Sequence, residues 1–329
     1  MTERFLILLN PRAGRRRRDR LERFLAALRQ TGASVELRMT EHAGHATTLT
    51  YRALCSGKYG CIVAAGGDGT VAEVARGFVL AGTHTPTRKI RLGIWPLGTA
   101  NVFARELHVP FAPQANARLL ISGQRVNVWP GLIQYCQETG SWKAAPHSPP
   151  EQTEIFLQMV GAGFDAHCVH NVSTVLKARW GALAYLISAG SSWKQFSFRP
   201  FEVVCDGQSY RATSAIVTKG GLYGGPFRLV TGQAPQSRKF TVLLLQGERW
   251  DILRLVFSLL RGDGGPAGVE KILAEEIVFP QPGVPLQSDG DSRNFTPCRI
   301  TNTPSALSVA APEARPRRRR DAKPHLQQS

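Results

Sequence analysis

Three glycine-bearing loops carry residue types that can hold a phosphate. Gly66-Gly67-Asp68-Gly69-Thr70 leaves an apolar run, Cys61–Ala65, and opens a helical pattern from Thr70 to Leu80. Glycines there allow positive φ and let a phosphate oxygen approach the backbone closely. Thr70 is expected to be the N-cap of that helix, with Glu73 three residues on completing a T-x-x-E capping box. The first turn then offers free N–H groups and the positive end of the helix dipole, a cradle for phosphate. A carboxylate inside an anion site needs its own reason. Asp68 holds Mg²⁺ or a water on it, takes a proton from a hydroxyl nucleophile, or only caps a tight strand-to-helix turn. The isolated motif leaves these readings open.

A second loop, Pro96-Leu97-Gly98-Thr99-Ala100-Asn101, also follows a strand pattern and opens a helix. Asn10-Pro11-Arg12-Ala13-Gly14 makes a third loop at the same edge, and Arg15–Arg18 begin the helix after it. Turns at neighbouring strand ends can line one nucleotide crevice. Neither GxxxxGK[ST] nor G-x-G-x-x-G occurs, which excludes an ordinary P-loop protein and a dinucleotide-fingerprint enzyme.

The elements that must position these loops alternate strand and helix over the first 128 residues. Runs at 4–9, 34–39, 61–65 and 91–95 read as buried strands, and 16–30, 43–56, 70–80 and 99–107 have helical spacing. That alternation predicts a three-layer α/β domain with a parallel sheet, whose ligands sit beyond the carboxyl ends of the strands. From residue 129 to 304 short apolar runs separated by Gly, Pro and polar turns predict a mostly antiparallel β-sandwich. Two helical stretches, 172–191 and 250–260, interrupt it. The first carries an aromatic-rich run (Trp180, Tyr185, Trp193, Phe196, Phe198) that reads as core-facing, with an interfacial surface as the other reading. Residues 138–152 read as an exposed insertion, and 305–329, rich in Ala, Pro and Arg, as a disordered basic tail.

Composition narrows the class. The 329 residues are 43% hydrophobic and 20% charged, enough for ordinary cores. No apolar stretch is long enough to span a bilayer, and the N-terminus does not read as a signal peptide. Six cysteines without metal spacing read as reduced thiols, which points to the cytoplasm. The net charge of +17 is uneven. Residues 12–20 hold six arginines against Asp19, and residues 313–323 hold five arginines and Lys323 against Glu313 and Asp321. Such clusters attract anionic surfaces. No nucleic-acid-binding pattern appears, so no specific nucleic acid is expected.

Together, N-P-x-A-G at 10–14, G-G-D-G-T at 66–70 with Glu73, and P-L-G-T-A-N at 96–101 resemble the diacylglycerol kinase catalytic-domain family, bacterial lipid kinases related to sphingosine and ceramide kinases. Thr40 with Gly44-His45-Ala46, Gly161-Ala162-Gly163-Phe164-Asp165-Ala166, Tyr223-Gly224-Gly225 and Asp289-Gly290-Asp291 extend the likeness to about residue 302. The resemblance implies an ATP- and Mg²⁺-dependent kinase of a lipid hydroxyl, with ATP between the two domains. Its cofactor site would comprise Asn10, Pro11, Thr40, Gly66, Gly67, Asp68, Gly69, Thr70, Glu73, Gly98, Thr99 and Asn101. Asp68 would serve the metal and the catalysis, and Asp289 or Asp291 would supply the base. Peripheral attachment to the inner face of the membrane through the Arg-rich segments follows, and a homodimer stays open.

The chain departs from the family pattern at Ala72, Val102 and Asp291. Its loop Ala234–Lys239 lacks the carboxylate of a structural Mg²⁺ site known in soluble relatives. That site is expected to be absent, with Arg238 or Lys239 doing its work. Two other functions stay in view: a kinase of a soluble hydroxyl substrate such as NAD, and a catalytically silent nucleotide- or lipid-binding regulator.

Overall fold

The structure, a computed structural model, describes residues 3–14, 18–82, 90–135, 153–171, 198–247 and 269–313. The helices expected at 172–191 and 250–260, the aromatic run except Phe198, the insertion at 138–152, Arg15–Arg17 and the chain from 314 lie outside them.

The first unit runs β1 (Arg4–Leu9), α1 (Pro11–Gly14), α2 (Arg18–Gln30), β2 (Ser34–Met39), α3 (His45–Ser56), β3 (Cys61–Gly66), α4 (Asp68–Gly82), β4 (Arg91–Pro96), α5 (Val102–Glu106), α6 (Pro113–Ser122) and β5 (Val126–Val128). The second contains β6 (Gly131–Tyr135), β7 (Thr153–Phe156), β8 (Met159–Gly163), α7 (Phe164–Asn171), β9 (Phe201–Cys205), β10 (Gln208–Ala212), β11 (Ser214–Thr218), β12 (Leu222–Tyr223) and β13 (Phe227–Arg228). It continues through β14 (Phe240–Leu245), β15 (Glu270–Ala274), β16 (Ile277–Phe279), β17 (Pro285–Ser288), β18 (Asp291–Phe295) and β19 (Cys298–Asn302). A last strand, β20 (Leu307–Val309), follows.

Every residue of β3 and β4 is buried, as strands covered on both faces require. Their sheet has the order β2-β1-β3-β4-β20-β5. Alternate residues serve opposite faces. Leu6, Leu8, Ile62 and Ile94 pack on α3 and α4 through Leu49, Leu54, Val74 and Phe78. Phe5, Ile7, Val63 and Trp95 pack on α2 and α6 through Phe24, Leu28 and Leu120. The result is helix, sheet and helix in three layers, with β1–β4 parallel.

Two six-stranded antiparallel sheets, β10-β9-β16-β19-β6-β7 and β15-β14-β11-β8-β17-β18, form the sandwich. Val203, Ile277, Phe279 and Ile300 of one meet Val160, Val217, Val242 and Leu244 of the other. The outer face of the second sheet is also buried, under Phe164, Leu229 and Val230.

One expectation is corrected at the carboxyl end. Residues 305–313 are not a disordered tail. β20 lies inside the first sheet, parallel to β4 at Val309–Leu92 and antiparallel to β5 at Leu307–Val128. Leu307, Val309, Ala310 and Ala311 are buried. Alanine-rich composition resembles low complexity, but a short apolar strand needs only a gap between two edges. The chain thus returns to its first domain after the sandwich.

Candidate active site

The three glycine loops meet because β1, β3 and β4 are parallel neighbours whose carboxyl ends align. The Asn10 N–H donates to Ala65 O (3.0 Å), and the Leu97 and Gly98 N–H groups donate to Gly66 O (2.8 and 3.3 Å). Gly67 and Gly98 touch backbone to backbone. A Cβ on Gly98 would fall 2.5 Å from the Gly67 Cα, so the pairing of the two loops depends on bare glycine.

The start of α4 differs from the expected capping box. The helix begins at Asp68, with the Thr70 and Val71 N–H groups on Gly67 O (3.0 and 3.1 Å). Thr70 is therefore inside the first turn, and its Oγ1 accepts a hydrogen bond from Asn10 Nδ2 (3.2 Å). Glu73 reaches sideways, where its Oε2 accepts the Ala46 N–H (3.1 Å) at the start of α3. Two consecutive glycines turn the chain tightly enough to start the helix two residues early. Gly44, the N-cap of α3, has no side chain to offer, and Glu73 does that work from the neighbouring helix.

Asn101 is spent on its own loop: its Oδ1 accepts the Gly98 N–H (2.9 Å) and its Nδ2 donates to Gly98 O (2.7 Å). That closed ring holds it at φ 47°. Thr40 follows β2, its N–H on Leu9 O (2.8 Å), and Pro11 opens α1.

Asp68 is half-buried and does cap a helix, but not its own. Its Oδ1 accepts the Phe103 N–H (3.1 Å) at the start of α5. Burial raises its pKa, and the N–H groups of Phe103 and Val102 pull it back. Asp289 comes from the second domain, in the turn between β17 and β18. Its Oδ2 accepts the Leu157 N–H (2.8 Å), and its Oδ1 accepts those of Gln158 (2.9 Å) and Met159 (3.0 Å). Burial pushes its pKa up to about 6; the three amides oppose the rise, and the charge on Asp68 adds to it. Asp291 is exposed, its carboxylate 3.9 Å from the Arg293 guanidinium.

A cavity of about 300 Å³ joins the two domains here. Asp68, Gly69 and Thr99 line it from the first domain, and Asp289, Gly290 and Asp291 from the second. Val102, Phe103, Leu157 and Met159 make its wall partly apolar. Of the residues singled out from sequence, Asn10, Pro11, Thr40, Gly66, Gly67, Thr70, Glu73, Gly98 and Asn101 are not in this wall and form the framework around it.

Several contributors carry no side-chain signal. Leu157, Gln158 and Met159 act through backbone N–H groups, so their residue types say nothing. Glu106, at the end of α5, accepts the Leu222 N–H (2.5 Å) across the domain boundary. Its signal would have been a carboxylate opposite Gly220, where a Cβ would lie 2.5 Å from Glu106 Oε1. The loop 234–239 is held by neither cation expected of it. Lys219, wholly buried, donates from Nζ to Ser237 O (2.5 Å) and Asn302 Oδ1 (2.6 Å), while Arg238 lies over the Trp129 ring. Lys219 directly follows β11 and points under the loop, which the two loop cations cannot do from outside.

Among the described residues, no helix is long and apolar enough to cross a membrane. The model of the diacylglycerol kinase catalytic domain matches residues 4–132, and that of the YegS C-terminal NAD kinase beta sandwich-like domain matches residues 158–311. A probable lipid kinase YegS-like protein of Pseudomonas putida is 28% identical over 290 residues, 88% of this chain and 89% of its own. A diacylglycerol kinase of Staphylococcus carnosus is 25% identical over 322 residues, 95% of this chain and 96% of its own. The crystal structure of a diacylglycerol kinase from Bacillus anthracis superposes with a TM-score of 0.69 over 94% of this chain and 97% of that one, at 20% identity. The fold is that of these kinases. With both of its domains matched in order, the chain belongs to the diacylglycerol kinase catalytic-domain family.

Proposed function

We propose that the protein transfers the γ-phosphate of ATP to a hydroxyl of a membrane lipid, with Asp289 as the base. The observation that carries this reading is one cavity in which Gly69 and Thr99, the carboxylates Asp68 and Asp289, and apolar Phe103, Leu157 and Met159 converge. Glycine-loop amides and a helix start suit phosphates, and an apolar wall suits a lipid.

The residues fit Mg²⁺. Asp68 and Asp289 are half-buried carboxylates whose pKa values both rise through desolvation, and the Asp68 charge acts on Asp289. A divalent cation relieves that repulsion, and Mg²⁺ is commonly held by one or two carboxylates with phosphate oxygens and water. When bound, it neutralises charge on the transferring phosphoryl group. The chain itself positions and accepts the proton. On Asp289, Oδ1 holds two N–H groups and Oδ2 only one, so Oδ2 keeps acceptor capacity for the lipid hydroxyl. A carboxyl near 6 is basic enough at neutral pH, and three amides hold Asp289 in place, whereas Asp291 is exposed; these features favour Asp289 as the base. The basic runs at 12–20 and 313–323 would hold the enzyme peripherally on the inner face of the membrane, each cation contributing about 1 kcal/mol near an anionic surface.

The test is transfer of labelled phosphate from ATP with Mg²⁺ to a panel of lipids in mixed micelles, with NAD and a no-acceptor control alongside. Labelled lipid is expected. Label on NAD alone would make the protein a soluble-substrate kinase. Bound nucleotide without any transfer would make it a regulator.

A further inference from the structure

Asp165 is a buried carboxylate that the proposed chemistry does not use. It sits in the first turn of α7, and both its oxygens are occupied. Its Oδ1 accepts the Tyr223 hydroxyl (2.5 Å), and its Oδ2 accepts Gln287 Nε2 (2.7 Å). The carboxamide of Gln287 continues the chain, its Oε1 accepting the Gly290 N–H (2.9 Å). Gly290 lies between Asp289 and Asp291. Both Asp289 (φ 50°) and Gly290 (φ 83°) are left-handed, so the turn that presents the base is strained at a non-glycine residue.

The packing beneath this arrangement depends on a glycine, while Tyr223 and Gln287 also line the cavity. Gly161 on β8 pairs with Gln287 on β17. A Cβ on Gly161 would fall 1.7 Å from Asp165 Oδ2 and 2.8 Å from Gln287 Nε2. Bare backbone at that position lets α7 reach across β8 to β17.

The chemistry also fixes a direction. Each Asp165 oxygen accepts one hydrogen bond, so the amide nitrogen of Gln287 faces Asp165 and its amide oxygen is left for Gly290. Burial raises the Asp165 pKa, and the hydrogen bonds from Tyr223 and Gln287 oppose the rise. We propose that Tyr223, Asp165 and Gln287 form a positioning relay that holds the Gly290 turn and so aims the Asp289 carboxylate at the acceptor hydroxyl. These are positioning residues, and the proposal rests on the kinase reading above.

The experiment compares wild type with Gln287→Met, which keeps the length of the side chain and loses both hydrogen bonds, and with Gln287→Glu, which keeps an acceptor for Gly290 but faces Asp165 with a second carboxylate. For Gln287→Met, kcat is expected to fall about 10²-fold, the scale of a misplaced reacting group, with ATP affinity unchanged. Gln287→Glu should also lose kcat, because the amide N–H that Asp165 accepts is gone. Amide hydrogen exchange of residues 286–291 is followed in parallel and needs no turnover; Gln287→Met should exchange faster at Gly290. Unchanged exchange, or a loss of kcat that only follows a loss of thermal stability, would overturn the relay. An inactive wild type would overturn the kinase reading instead, and the exchange measurement would still decide whether Gln287 holds the turn.

Discussion

At the scale of single residues, two cavity carboxylates differ in their surroundings. Burial pushes the Asp289 pKa up to about 6, so in the proposed base role it already holds a proton below that pH. The rate should therefore climb with pH through about 6, and Asp289→Asn should cost about 10² to 10⁴-fold while removing that limb. The stability of the unliganded protein runs the other way. A carboxyl whose folded pKa exceeds its unfolded value stabilises the fold when protonated, and that contribution disappears as pH rises from about 4 to about 6. Urea midpoints across that window should show the decline, and it should shrink in Asp289→Asn. Asp68 carries both a cap and a charge. Asp68→Asn keeps an oxygen for the Phe103 N–H and should abolish transfer with little loss of stability. Asp68→Ala should lose transfer and also about 1 kcal/mol of stability in urea unfolding. Activity retained in Asp68→Asn would mean that only the cap matters.

At the scale of elements, α5 is a five-residue helix held at both ends. Asp68 of the first glycine loop accepts from its start, and Glu106 at its end accepts the Leu222 N–H, next to the cavity residues Tyr223 and Gly224. Burial raises the Glu106 pKa, and the Leu222 and Gly221 amides oppose it. α5 thus ties the first glycine loop to the second domain. Glu106→Ala leaves buried N–H groups unsatisfied and should cost about 1–3 kcal/mol in urea unfolding, with a raised KM for the acceptor. An unchanged unfolding midpoint would show that water replaces the carboxylate. The Thr70–Glu73 pair teaches the same lesson. A T-x-x-E spacing signals a cap, but the helix that Glu73 caps is α3, brought alongside by packing.

At the scale of the whole molecule, the chain crosses between domains more often than a linear reading suggests. β20 fills the sheet between β4 and β5 after the complete sandwich has been built. A chain ending at residue 304 loses that strand and the buried Ala310 and Ala311, and should fail to fold or aggregate through exposed strand edges. A chain ending at residue 313 should melt cooperatively. Circular dichroism melts of the two truncations check this, and a stable protein ending at 304 would show that β20 is dispensable.

Much of the first domain was legible because helix and strand periods are local, and the buried runs at 4–9, 61–65 and 91–95 have few other uses. The glycine loops were legible for the same reason: close backbone approach at a strand end needs glycine whatever lies around it. The boundaries of α4 and α5, the trans cap by Glu73 and the placement of β20 were not, because each depends on a partner far away in sequence. The sequence by itself determined the alternation of elements, the glycine turns and the set of acidic residues available for chemistry. Only the tertiary structure decided which carboxylates meet. Asp68 and Asp289 are more than two hundred residues apart, and their protonation depends on burial and on amides of other segments, which no local pattern encodes.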